Sequence, residues 1–185
     1  MAQFLGKENS DDVLVKKGEA IALFVIKLVS ADTKSLFSQL EKDKDRKIDD
    51  SKFGGVLGEM AILYCHFVDR IAFQHLGAER RNIFIDALFE QLTETLSMIH
   101  ESTIERAQFC YSFLNINNER VAEYGNYKEL IGGTDTGQKD SLFWEFGKKI
   151  AGIVVSEMDI VVIMYVMAIC SESLTALLLP ELFKE

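Results

Sequence analysis

Ala61-Ile62-Leu63-Tyr64-Cys65-His66-Phe67-Val68-Asp69-Arg70-Ile71-Ala72-Phe73 is the stretch that decides the fold. Its strongly polar members, His66, Asp69 and Arg70, are spaced by three and one. That spacing puts them on one side of a helix and leaves the rest of the surface apolar. No alternation of period two runs through it, so it does not read as a strand. A helix without a polar face of its own belongs inside a protein. Residues 160–179 repeat the message: from Ile160-Val161-Val162-Ile163-Met164 onward the only charge is Glu172. Two such helices cannot both lie on the surface of a small bundle. Either both are central or a partner chain covers one of them, and a homodimer is the economical way to do that.

Outward from these two segments the chain punctuates itself with caps. Asp49-Asp50-Ser51 can open the helix that contains the first stretch, which passes Gly54, Gly55 and Gly58 and stops near Leu76 at Gly77, a residue free to adopt left-handed backbone. Before it, a first helix is expected from Ser10-Asp11-Asp12 to Val29, interrupted at Ser30-Ala31-Asp32, and a short second one over residues 33–40 with Leu36, Phe37 and Leu40 on one side. After it, residues 80–100 show Ile85, Leu88, Leu92, Leu96 and Ile99 at helical spacing, with Asp86, Glu90 and Glu94 on the wet side. Ser102-Thr103-Ile104-Glu105 reads as a capping box opening the next helix, whose packing stripe would be Phe109, Phe113, Ile116 and Tyr127. Asp140 is expected to cap a helix over residues 141–155. Phe143, Phe146, Ile150 and Val154 face inward there, and Gly147 and Ala151 let a neighbour approach. Ser156-Glu157-Met158-Asp159 resembles a second capping box, opening the last helix.

One proline, Pro180, and 12 glycines in 185 residues leave little to break these helices. The expected fold is an all-α, single-domain helical bundle of about six to seven helices with two apolar central helices. Residues 1–10 are expected as a flexible tail, residues 41–50 as a charged linker and residues 126–138 as a glycine-containing loop. A chain of this length can bury roughly 70% of the surface its unfolded form exposes.

Twenty Lys and Arg against 29 Asp and Glu give a net charge of −9. The pairs Lys16-Lys17, Arg80-Arg81 and Lys148-Lys149 are isolated, so no basic patch overcomes the repulsion of a phosphate backbone and no nucleic-acid partner is expected. Cys65, Cys110 and Cys170 are far apart and odd in number, as expected of reduced thiols. The start Met1-Ala2-Gln3-Phe4-Leu5-Gly6 has no basic region leading into an apolar core, and Ala2 excludes myristoylation; a cytoplasmic location is expected. Residues 160–180 approach the length of a membrane span. Glu172 near mid-membrane would cost about 3 kcal/mol, and acidic flanks give no positive anchor. A buried helix is the preferred reading, and a tail-anchored membrane protein the third.

Few constellations carry chemistry. Asp43-Lys44-Asp45-Arg46-Lys47-Ile48-Asp49 fails as a calcium loop because its sixth position is not glycine and Gly54 stands where the bidentate acid belongs. Gly132-Gly133-Thr134-Asp135-Thr136-Gly137-Gln138-Lys139 fails as a phosphate loop: the lysine is displaced, no strand precedes it, and Asp140 replaces the magnesium-binding hydroxyl. The strongest candidate is Glu59, His66 and Asp69, all on one helix, as ligands of a divalent metal. Acids from neighbouring helices such as Glu90, Glu94 or Glu105, with His100, would complete the set. Against it, no histidine has the Glu-x-x-His spacing of bundle metal sites, and there is no HExxH, His-Asp pair or GxSxG elbow. The competing reading makes His66, Asp69 and Arg70 a structural polar cluster, with His66 bonded to a carboxylate and Arg70 in an ion pair. Phe67, Phe73, Phe84, Phe89, Phe109 and Phe113 read first as core and second as the lining of an apolar ligand site. The leading functional expectation is a non-catalytic, self-associating helical protein that binds a protein or an apolar small ligand; a bundle metalloprotein or metal-dependent hydrolase is the alternative.

Overall fold

The computed structural model describes residues 10–43, 48–127 and 141–177. Among them the regular structure is six α-helices and one 3-10 turn, Asp50–Lys52, with no strand. The helices are α1 (Ser10–Glu41), α2 (Phe53–Leu76), α3 (Ala78–Ser97), α4 (Thr103–Tyr124), α5 (Leu142–Val154) and α6 (Ile160–Leu177). They form a single all-α bundle, as expected. The tail at residues 1–9, residues 44–47 of the charged linker, and the glycine loop from residue 128 onward lie outside the described residues, together with both the failed phosphate loop and Asp140.

Local chemistry fixes the ends. Asp49 caps the 3-10 turn by accepting from the Ser51 amide at 2.9 Å. Gly77, at φ 71°, ends α2 and begins α3 in a single residue. Ser102 and Glu105 form the reciprocal capping box of α4. Ser141 caps α5 by accepting from the Trp144 amide, taking the place expected of Asp140. Asp159, the last residue of the expected box beginning at Ser156, caps α6, accepting from the amides of Val161 and Val162 at 3.1 and 3.2 Å.

The break expected at Ser30-Ala31-Asp32 is absent. α1 runs unbroken for 32 residues, about 48 Å. The polar residues there are spent on tertiary contacts instead of caps. Asp32 accepts from the Tyr64 hydroxyl of α2 at 2.6 Å and from the Ser173 hydroxyl of α6 at 2.5 Å, and the buried Thr33 hydroxyl meets Met60 Sδ at 3.5 Å. Burial raises the Asp32 carboxyl above the ordinary carboxylate range, the charge of Glu172 adds to this, and the two hydroxyl bonds oppose it.

α2 packs against each of the other five helices. Met60 to Val68 are all buried, which is where the apolar stretch had to go. α1 lies antiparallel to it, with Phe37 edge-on to Phe53 and Asp32 level with Tyr64. α1 also packs closely on α3. A Cβ on Gly18 would lie 2.5 Å from the carbonyl oxygen of Phe84. Gly147 likewise lets α5 approach Ile163 of α6, as its composition suggested.

Of the two helices without a polar face, α2 is the central one. α6 rests on α5 and α1 and buries half of its 18 residues, leaving Ile160, Val161, Met164 and Tyr165 open. By length and composition α6 could cross a membrane, yet its buried half is part of this core. Cys65 and Cys170 are buried and Cys110 half-buried, all as free thiols; burial pushes the first two up from their ordinary pKa. Ile99 and Ile116, expected inward, are exposed. Ile99 lies past the last turn of α3, and α4 turns Phe113, Asn117 and Tyr124 inward instead.

Candidate functional site

Glu59, Ile62, His66 and Arg70 recur on one face of α2 at spacings of three and four, and α4 runs alongside that face in the same direction. Glu59 meets Arg120, His66 meets Tyr124, and Arg70 donates to the Tyr127 carbonyl at 3.5 Å. The helix-to-helix seam therefore has three successive zones.

The first is an apolar groove. Gly54, Gly55 and Gly58 form its α2 side, Phe109, Phe113 and Ile116 its α4 side, and Ile153 of α5 closes the end, around a volume of about 290 Å³. A Cβ added at Gly54 or Gly58 would meet nothing within 4 Å, so no neighbour among the described residues requires a glycine at either position. Ile153 also borders a polar hollow of about 390 Å³ lined by Glu123, Glu145, Lys148 and Lys149.

The second is an ion-pair network. Arg120 grips Glu59 with a fork, Nη2 at 2.7 Å and Nε at 3.0 Å, and reaches Glu123 at 3.3 Å; Lys149 of α5 holds the same Glu123 at 2.7 Å. The Glu59 bonds raise the Arg120 pKa above its already high ordinary value. With 12% exposure on the Glu59 side chain, this pair is partly desolvated and orients α2, α4 and α5 together.

The third is a buried polar pair without hydrogen bonds. His66 is 8% exposed and Tyr124 1%, their rings meeting edge-on at 5.6 Å. Neither ring nitrogen of His66 nor the Tyr124 hydroxyl has a hydrogen-bond partner among the described residues. Burial lowers the His66 pKa, with the Arg70 charge adding and the Asp69 charge opposing.

The carboxylates expected as metal ligands both have partners. Glu59 is taken by Arg120, and Asp69 by the Arg81 guanidinium of α3, whose Nε and Nη2 lie at 2.6 and 2.5 Å. Among the described residues no group of three or more His, Cys, Asp or Glu side chains is gathered as a metal would require. Among the described residues His66 bonds no carboxylate and Arg70 donates to a backbone carbonyl, where a carboxylate bond for the first and an ion pair for the second were expected. Asp69 and Glu59 are held by arginines from other helices. Arg81 was within reach of sequence reasoning, because a one-residue turn at Gly77 folds α3 back along the end of α2. Arg120, 61 residues away from Glu59, left no local signal. Of the phenylalanines, Phe67, Phe84 and Phe113 are core and Phe109 and Phe113 line the groove, whereas Phe73 is 65% exposed beside Arg81.

The orphaned imidazole makes a prediction. A base with a lowered folded pKa contributes stability that is present above about pH 6.5 and lost as pH falls from there through the lowered value. His66→Phe is expected to raise stability by about 1 kcal/mol at neutral pH, since it removes unsatisfied polar atoms, and to weaken the decline between pH 6.5 and 5. Urea unfolding at both ends of that range checks it; a loss exceeding about 1 kcal/mol would mean that the ring nitrogens are satisfied.

No family model, curated protein or solved structure matches this sequence.

Proposed function

We propose that the protein acts by binding rather than by catalysis, and that the groove between α2 and α4 receives one bulky apolar side chain of a protein partner. The observation that carries this reading is the pair of open glycines, Gly54 and Gly58, on a mainly apolar wall of Ile62, Phe109, Phe113, Ile116 and Ile153, to which Glu59 and Ser112 add the polar side chains. Glycine inside a helix costs about 1 kcal/mol relative to alanine. At Gly58 that cost maintains an apolar hollow and relieves no clash with any described residue. The volume, about 290 Å³, suits a single aromatic or aliphatic anchor of the kind that dominates protein interfaces, and falls just below the range usual for whole metabolites. The neighbouring hollow of lysines and glutamates offers polar contacts to residues flanking the anchor.

N-acetyl-tryptophan amide and N-acetyl-leucine amide serve as probes. Amide chemical-shift changes are expected at Gly54, Gly55, Gly58, Phe109 and Phe113, and Gly58→Leu is expected to abolish them while the helical circular dichroism is retained. Shifts absent from the groove, or unaltered in the Gly58→Leu protein, would refute the reading.

A further inference from the structure

The side of α4 turned away from the groove carries a second, independent surface. Ile104, Ala107, Tyr111, Leu114, Asn118 and Val121 follow one another at steps of three and four, the 3.5-residue repeat of a two-stranded coiled coil. All six are exposed; Ile104 and Tyr111 are each 71% exposed and Leu114 and Val121 each 43%. Every charged residue of α4, namely Glu105, Arg106, Glu119, Arg120 and Glu123, lies off this seam. So do the buried Phe113, Asn117 and Tyr124 that hold the helix to the bundle.

We propose that this seam binds a second copy of the same chain, parallel and in register. Three properties select that occupant. The first is charge. The chain carries −9, and two copies meet with least repulsion on a face that has none. The positions beside the seam that set partner choice in mixed coiled coils by opposite charges are here Gln108, Asn115 and Ala122 on the open side, which carry no code for a different partner. The second is Asn118, the single polar residue of the seam. Across a parallel two-fold its amide faces its own copy, and each amide satisfies the other; opposite an apolar helix it would be left unpaired. The third is area. Along a helix of 22 residues two such seams bury on the order of 1,200 Å², the lower edge of the range for stable interfaces and well above incidental contacts.

Sedimentation velocity on the full chain tests the proposal. The wild type is expected to be a dimer at about 50 μM. Leu114→Glu is expected to weaken association by at least about thirtyfold, giving a monomer with unchanged circular dichroism, because Leu114 is not part of the core. Met164→Glu, on the open face of α6, is expected to remain a dimer. Asn118→Cys is expected to form a disulfide-linked dimer in oxidised glutathione. A wild-type monomer, or a Leu114→Glu protein that stays dimeric, would overturn the proposal. An Asn118→Cys protein that sediments as a dimer yet fails to cross-link would overturn the parallel register.

Discussion

Replacement of Asp32 by alanine will lower stability by about 3 kcal/mol, whereas replacement by asparagine will leave it unchanged or raise it. One carboxylate oxygen, Oδ2, accepts from both Tyr64 and Ser173, so alanine strips the acceptor from two hydroxyls at once. Tyr64 is fully buried and Ser173 is 4% exposed, and water cannot readily take the vacated place. Each unsatisfied buried donor costs about 1–3 kcal/mol. The loss also unties α1, α2 and α6 at one point. Asparagine keeps an oxygen for both donors and removes a charge that burial disfavours. Because the folded-state pKa of Asp32 is raised, its contribution is present in full below about pH 4 and is lost as pH rises through the raised value. In Asp32→Asn that dependence disappears, so the gain over wild type should be larger at pH 7.5 than at pH 4. Urea unfolding at the two pH values measures both effects; a Asp32→Ala loss below about 1 kcal/mol would mean the hydroxyls find other acceptors.

The second large effect is a contrast in sign between two glycines. Gly18→Ala adds a methyl group 2.5 Å from the Phe84 carbonyl oxygen and 3.0 Å from Ala87 Cβ. Backbone cannot swing aside as a long side chain can, so α1 and α3 must separate, and α1 is too long and too well packed to yield at one turn. Overpacking of this kind costs about 1–3 kcal/mol beyond the helix propensity that alanine restores, and a net loss of about 2 kcal/mol is expected. Gly58→Ala meets nothing and should gain about 0.5–1 kcal/mol. Parallel denaturant titrations decide it: equal shifts of the same sign would show that the approach of α1 to α3 is not close.

Much of the fold was legible because helix ends are local chemistry. Gly77, the Ser102 and Glu105 box, and the apolar periodicity from Ile85 to Leu96 each act within a few residues, and each appears where the sequence put it. Asp32 misled for the opposite reason. As a short polar side chain it imitates a helix break, but its partners Tyr64 and Ser173 lie 32 and 141 residues away. Ile99 misled because a periodic pattern does not announce that its helix has ended. The candidate site was readable only in part. Glu59, His66 and Asp69 do share one helix, but whether a carboxylate meets a metal or a guanidinium depends on which helix arrives beside it, and Arg120 could not be placed from sequence. The glycines at 54, 55 and 58 were visible as tolerated interruptions, not as the wall of a groove, since a hollow exists only once α4 and α5 stand opposite.

The position of α2 among all five other helices has a consequence for the chain as it is made. Its apolar surface is complete when Leu76 emerges from the ribosome, but its last neighbour, α6, ends at Leu177. Roughly 100 further residues must be translated, which takes about 5–20 s at ordinary elongation rates. In the first part of that interval, before α4 is complete at Tyr124, only α1 and then α3 can shelter it. The pairing of α1 with α3 across α2 therefore gives the nascent chain an early three-helix refuge, which α4, α5 and α6 join as they appear.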